Sequence, residues 1–184
     1  MVRRSHGTEE LTLAPVRRTA RIAALVASLL ACLIPHLLWK LARQRSPWPR
    51  CFLALAARAI GARVERAGQP VERAGQPHDG DMVLLANHVS WIDILALGGS
   101  TGAAFVAHDG IARWPVIGWL AAQNNTLFVA RERRGALSHQ LDALRAAMQG
   151  HQPVALFPEG TTSDGSGLLP FKPSLLAVLL PPPR

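Results

Sequence analysis

Tyrosine is absent from this chain of 184 residues, aromatic side chains make up 5% of it, and cysteine occurs twice. Two cysteines, Cys32 and Cys51, are too few for a disulfide framework or a cysteine-based zinc site, and a reducing, cytoplasmic setting fits that count best. The shortage of aromatics argues against a nucleic-acid surface, where bases stack on rings set among basic side chains, even though the net charge is +8. Two phosphate and nucleophile signatures are also missing. Gly160 and Gly165 have the spacing of a P-loop, but Ser166 and Gly167 stand where Lys and Ser or Thr belong. Gly165-Ser166-Gly167 is not a Gly-x-Ser-x-Gly elbow either, which leaves Ser90 as a weak nucleophile candidate.

What is present is concentrated. Nine of the twenty Lys and Arg lie in the first fifty positions and bracket an apolar stretch over residues 22–39. That arrangement fits an anionic membrane surface. Residues 1–19 read as a flexible basic lead. Eighteen helical residues reach about 27 Å against a hydrocarbon core of about 30 Å, and Pro35 and His36 interrupt the run. Basic clusters on both sides (Arg17, Arg18 and Arg21; Lys40, Arg43, Arg45 and Arg50) give a single span no orientation. A hairpin turning at Pro47-Trp48-Pro49 and returning over residues 51–60 keeps both basic ends at one face. A lipoprotein signal at Leu29-Leu30-Ala31-Cys32 is disfavoured because the apolar run continues to Trp39.

Val-Glu-Arg-Ala-Gly-Gln-Pro occurs at 64–70 and again at 71–77, too short and too few for a solenoid, so it reads as a duplication in a surface linker. The expected organisation is therefore 1–62 basic lead and membrane-anchoring segment, 63–81 linker, and 82–184 an α/β domain. Its apolar runs at 82–86, 103–107, 126–130 and 153–157 read as buried strands, separated by helix-like stretches such as 137–149. The fold class expected is α/β, a mixed sheet flanked by helices, with an N-terminal membrane-binding helical hairpin.

In such sheets chemistry collects where strands end. Asn87-His88-Val89-Ser90-Trp91-Ile92-Asp93 follows the first run. His takes up a proton near neutral pH, and a carboxylate on one ring nitrogen fixes its tautomer. On a regular helix a separation of five turns the two side chains about 140° apart, so pairing requires the bend that a strand-to-helix junction supplies. The same residues also read as an Asp93 helix N-cap beside a structural histidine. His108-Asp109 follows the second run, then Arg113-Trp114-Pro115-Val116-Ile117-Gly118-Trp119, which reads as a packed turn. Arg131 follows the third, with Arg133 and Arg134 reading as a solvated cluster. Pro158-Glu159-Gly160-Thr161-Thr162-Ser163 follows the fourth, either a polar ligand site or a plain strand exit.

The ordered set Asn87-His88-x4-Asp93, Thr126-Leu127-Phe128-Val129-Ala130-Arg131 and Phe157-Pro158-Glu159-Gly160-Thr161 resembles the glycerolipid acyltransferases, specifically the 1-acyl-sn-glycerol-3-phosphate (lysophosphatidic acid) acyltransferase family. Leu168-Leu169-Pro170-Phe171-Lys172 extends the likeness. The resemblance implies transfer of a fatty acyl group from acyl carrier protein or coenzyme A to the free hydroxyl of lysophosphatidic acid, giving phosphatidic acid. His88 would be the general base and Asp93 its orienting carboxylate. Arg131 would hold the acceptor's phosphate, and His108, Glu159, Gly160 and Thr161 would complete the substrate site. No metal or cofactor beyond the thioester co-substrate is implied, and the expected location is the cytoplasmic face of the inner membrane.

Three departures stand out. His108 occupies a position where many relatives carry Lys, and Asn124-Asn125 stands where Gly is common. The chain also ends in Leu179-Leu180-Pro181-Pro182-Pro183-Arg184, where relatives continue into a further strand; three prolines cannot join a sheet interior, so it is expected to be C-terminally incomplete. The alternatives are a lyso-ornithine-lipid or other lysolipid acceptor, and an inactive membrane-binding remnant.

Overall fold

A long helical hairpin leads into a small parallel sheet, in a computed structural model that describes residues 7–44, 46–65, 67, 82–129 and 152–176. Helix α1 (Gly7–Leu41) packs against α2 (Trp48–Ile60). Arg21 lies beside Gly61 and Trp39 meets Trp48 edge-on at 6.3 Å, so the two helices run antiparallel. The hairpin is thus present, but the lead is shorter than expected: residues 7–19 already belong to α1. Leu, Ala and Arg are strong helix formers, and extending an existing helix avoids the cost of nucleation. The helix also continues through Pro35, whose missing N–H removes one bond but does not end it. Its Pro15–Leu41 portion, 27 residues, reaches about 40 Å and contains an 18-residue stretch of mean hydropathy 2.2, 11% of it buried, long and apolar enough to cross a bilayer.

Strands β1 (Val83–Leu85), β2 (Ala104–His108), β3 (Leu127–Val129) and β4 (Val154–Leu156) form one sheet in the order β1-β4-β2-β3. The expected runs are all recovered: three are trimmed by one residue at each end, and β2 is shifted by one residue to include His108. Every pairing among the described residues is parallel, so an antiparallel member of a mixed sheet is not among them. Central β4 is covered on both faces, as parallel strands require. Val154 and Leu156 pack with Val83, Val106 and Leu127, whereas Ala155 and Phe157 pack with Ala103, Phe105, Ile94 and Leu97. The helical stretch expected over 137–149 and most of the duplicated 64–77 segment lie outside the described residues.

Between the strands run α3 (Ile92–Thr101), the four-residue α4 (Asp109–Ala112) and α5 (Pro115–Gln123); α6 (Pro173–Leu176) follows the loop after β4. Helices α2 and α3 meet through Gly98 and Gly99. A Cβ on Gly99 would lie 2.6 Å from Ala54 N and 2.7 Å from its Cα. Arg50 of α2 donates to the Ser100 carbonyl at 2.8 Å, meeting the carbonyl end of α3 with a cation. Because backbone and not a flexible side chain blocks the space, Gly99→Ala is expected to destabilise the chain by about 1–3 kcal/mol. A thermal melt in detergent checks this, and an unchanged midpoint would contradict the close helix contact.

The Asn pair at 124–125 has a structural explanation. Asn125 takes the left-handed backbone with φ 57°, which Gly adopts freely and Asn tolerates better than most residues. Buried Asn124 donates from Nδ2 to the Ala103 carbonyl at 2.9 Å, tying the end of α5 to β2.

Candidate active site

His88, the end of β2 and the Pro158–Ser163 turn all follow the carboxyl ends of parallel strands and so share one edge of the sheet. His88 lies in the connection from β1 to α3. Helix α3 begins at Ile92 with Trp91 as N-cap and no side-chain cap, which removes the reading of Asp93 as an N-cap. Asp93 instead turns back over the connection. Its Oδ2 accepts from His88 Nδ1 at 2.9 Å, Val89 N at 2.8 Å and Ser90 N at 2.9 Å. The tight turn supplies the bend that a separation of five requires.

Three donors on one oxygen decide the charge state. Partial burial pushes the Asp93 carboxyl upward, but the Ser90 N–H, the His88 ring, the Val89 N–H and the His88 charge outweigh it and hold the group below its ordinary value. An ionised carboxylate only accepts, so Nδ1 carries the proton and Nε2 is left with the lone pair.

The loop after β4 holds the same histidine by its ring and its backbone. Phe157 stacks on the imidazole with centroids 4.2 Å apart and planes 17° from parallel. Ser163 donates to the His88 carbonyl from its N–H at 2.7 Å and from its hydroxyl at 3.2 Å. Glu159 Oε1 accepts the His88 N–H at 3.4 Å. Glu159 is only 1% exposed, and its Oε2 has no partner among the described residues. In this conformation its carboxylate faces the backbone of His88, so the acceptor-shaping role expected of it is not one it performs by contact.

The other expected residues are distributed unevenly. Gly160 follows with φ 66°, and Lys172 Nζ lies 2.9 Å from where its Cβ would be. Thr161 is exposed at the same turn. His108 is engaged locally: Nδ1 accepts the Gly110 N–H at 3.0 Å and Nε2 lies 3.2 Å from Asp109 Oδ1. Both ring nitrogens are occupied, so a phosphate grip would first have to break these bonds. Arg131, with Arg133 and Arg134, lies outside the described residues. Ser90 Oγ accepts the Ile92 N–H at 3.2 Å, which is turn geometry and not that of a nucleophile beside its base. Trp114, expected in a packed turn, is 60% exposed, and Trp119 is also exposed. Among the described residues no group of three His, Cys, Asp or Glu is placed to hold a metal ion.

Sequence reasoning missed the support that Phe157 and Ser163 give to His88. They are distant from it along the chain, and only the adjacency of β1 and β4 brings them there.

The family profile described as Acyltransferase matches residues 68–181. A lyso-ornithine lipid O-acyltransferase of Brucella abortus (strain 2308) is 36% identical over 167 residues, 85% of this chain and 59% of that protein. A 1-acyl-sn-glycerol-3-phosphate acyltransferase of Neisseria gonorrhoeae is 38% identical over 122 residues, 66% of this chain and 45% of that one. The chain thus spans about half the length of the curated relatives it matches. The crystal structure of the 1-acyl-sn-glycerophosphate acyltransferase PlsC from Thermotoga maritima has the same fold, with a TM-score of 0.57 at 21% identity, covering 89% of this chain and 70% of that one.

Proposed function

The chain belongs to the acyltransferase family, and from its His88–Asp93 pair we propose that it moves a fatty acyl group from a thioester to the free hydroxyl of a lysolipid. The carrying observation is the 2.9 Å bond from His88 Nδ1 to a carboxylate oxygen already fixed by two backbone N–H groups. It leaves Nε2 as a proton acceptor held in one orientation. As the acceptor hydroxyl attacks the thioester carbonyl, Nε2 takes its proton, and Asp93 supports the imidazolium. The tetrahedral intermediate then expels the thiolate, which leaves as thiol with the proton from His88. The products are an ester and free thiol, with no acyl-enzyme. The thioester is that of acyl carrier protein or coenzyme A, and no other cofactor takes part.

For the acceptor, lysophosphatidic acid is the reading that the Arg131 motif favours, with Gly160 and Thr161 lining its site. A lyso-ornithine lipid is favoured by two observations. His108 has both ring nitrogens engaged, and ornithine carries no phosphate to be gripped. Likeness to the Brucella protein also runs over 85% of this chain. Helix α1 would keep the site at the cytoplasmic face of the membrane, where such lipids lie. The test offers labelled acyl carrier protein and coenzyme A thioesters to the chain in vesicles containing each lysolipid in turn. Labelled product from either acceptor, absent with His88→Ala, is expected; no product from any pairing would sink the reading.

Glu159 separates a positioning role from an acceptor contact. With Glu159→Ala the His88 N–H loses its acceptor, so kcat is expected to fall roughly 10- to 100-fold, worth about 1.4–2.8 kcal/mol, with the acceptor KM little changed. Glu159→Gln keeps an oxygen at that place and should recover most of the rate. A raised KM at unchanged kcat would return Glu159 to the acceptor site.

A further inference from the structure

We propose that α5 is a second membrane-contacting element, a short, largely apolar helix lying in the lipid headgroup region beside α1; this rests on the reading of α1 as a membrane helix. At 100° per residue, Val116, Trp119 and Gln123 fall within an arc of about 60° on α5. Gly118 sits on the opposite side. There a Cβ would come within 2.5 Å of the Ala112 carbonyl, so that side is packed closely against α4. The Val116–Trp119–Gln123 stripe therefore faces away from the domain. Val116 is 62% exposed and Trp119 42%; Ile117, outside the stripe and about 100° round the helix from Val116, is also exposed.

Gln123 fixes where that stripe points. Its Oε1 lies 3.1 Å from His36 Nε2 and accepts from Lys40 Nζ at 2.9 Å, both on the last turns of α1. The bond to His36, which is buried, locks the end of α5 against the end of the apolar helix. Around this junction α1 exposes Ile34, Leu37, Leu38 and Leu41. The apolar stripe of α5 thus continues the apolar surface of a helix long enough to cross a bilayer.

The side chains match the depth. Trp sits by preference at the membrane–water boundary, and Arg and Lys meet anionic headgroups there. Trp119 lies on this helix and Trp114 is its N-cap, with exposed Arg113 beside it, and Lys40 stands at the junction. A bilayer, and not a protein, is the occupant that this continuity with α1 selects. Binding here would orient the domain on the membrane through two attachment points instead of one, holding the sheet edge that carries His88 at a fixed height for a lipid hydroxyl.

Position-resolved tryptophan quenching tests this. Two full-length chains, each keeping one of the five tryptophans with the others changed to Phe, report on Trp39 in α1 and Trp119 in α5. They are mixed with phosphatidylglycerol–phosphatidylethanolamine vesicles brominated near the top of the acyl chains. Both are expected to lose at least half their emission. Quenching of Trp39 without Trp119 overturns the proposal and leaves the α1 reading intact. Quenching of Trp119 alone removes the α1 reading on which the two-point attachment rests and so overturns the proposal as stated, and loss of both effects removes both. Should the Phe chains fail to fold, a Val116→Gln, Trp119→Gln chain with its other tryptophans kept is sedimented with the same vesicles. About tenfold weaker binding is expected. Unchanged binding, or protection of Trp119 by self-association without lipid, overturns it.

Discussion

Replacing His88 by Ala is expected to lower kcat by about 10³-fold while membrane binding and folding persist. A lipid hydroxyl is a weak nucleophile because it holds its proton near neutral pH, and Nε2 of His88 is the base that the geometry orients for it. The variant should fold because what it loses is local. The bonds that Ser163 and Glu159 make are to the His88 backbone, and Ala keeps that backbone. Phe157 loses its stacked partner but retains Phe105, 6.1 Å away and nearly parallel. The loss should cost about 1 kcal/mol. Asp93 still accepts from Val89 N and Ser90 N, so the turn into α3 survives. Single-turnover acyl transfer beside a thermal melt checks both halves. Residual activity within tenfold of the unaltered chain would remove His88 from the mechanism.

Legibility in the sequence followed the range of the interactions. The β1 and β4 runs were visible because strands of a parallel sheet are continuously apolar, and the hairpin because Pro47 stands between two apolar runs with Pro49 in the first turn of α2. The His88–Asp93 pair lies within six residues, so its spacing alone indicated the bend. Glu159 could be picked out by type and position, yet not by role. Its inward orientation follows from β4 inserting between β1 and β2, a topology that no local pattern encodes. Phe157 and Ser163 were hidden for the same reason. The segment from Arg113 to Trp119 was misjudged for another. Its Trp, Pro and Gly are equally suited to a packed turn and to a helix with one closely packed side. Gly118 made the difference, letting α5 settle on α4 with Val116 and Trp119 turned outward.

The second large effect is expected at Asp93, where Asn removes the charge but keeps the shape. An amide oxygen can occupy the place of Oδ2 and accept from Val89 N, Ser90 N and the His88 ring, so the turn persists. The charge facing the developing imidazolium is gone, and kcat should fall about 10²-fold or more with the acceptor KM nearly unchanged. Stability carries a separate signature. The carboxyl is held below its ordinary value: burial raises it, but the Ser90, His88 and Val89 bonds and the His88 charge together prevail. A folded-state value below the unfolded one means the folded protein binds the proton less readily. The stabilisation is therefore complete above the ordinary carboxylate value of about 3.9 and is lost as pH falls through the lowered one. The gap in unfolding temperature between the unaltered chain and Asp93→Asn should accordingly be widest near neutrality and close as the solution is taken below about pH 4. A gap that is constant across that range would mean the carboxylate's charge contributes nothing to the fold. A constant gap together with an unchanged kcat would reduce Asp93 to an acceptor of backbone N–H groups.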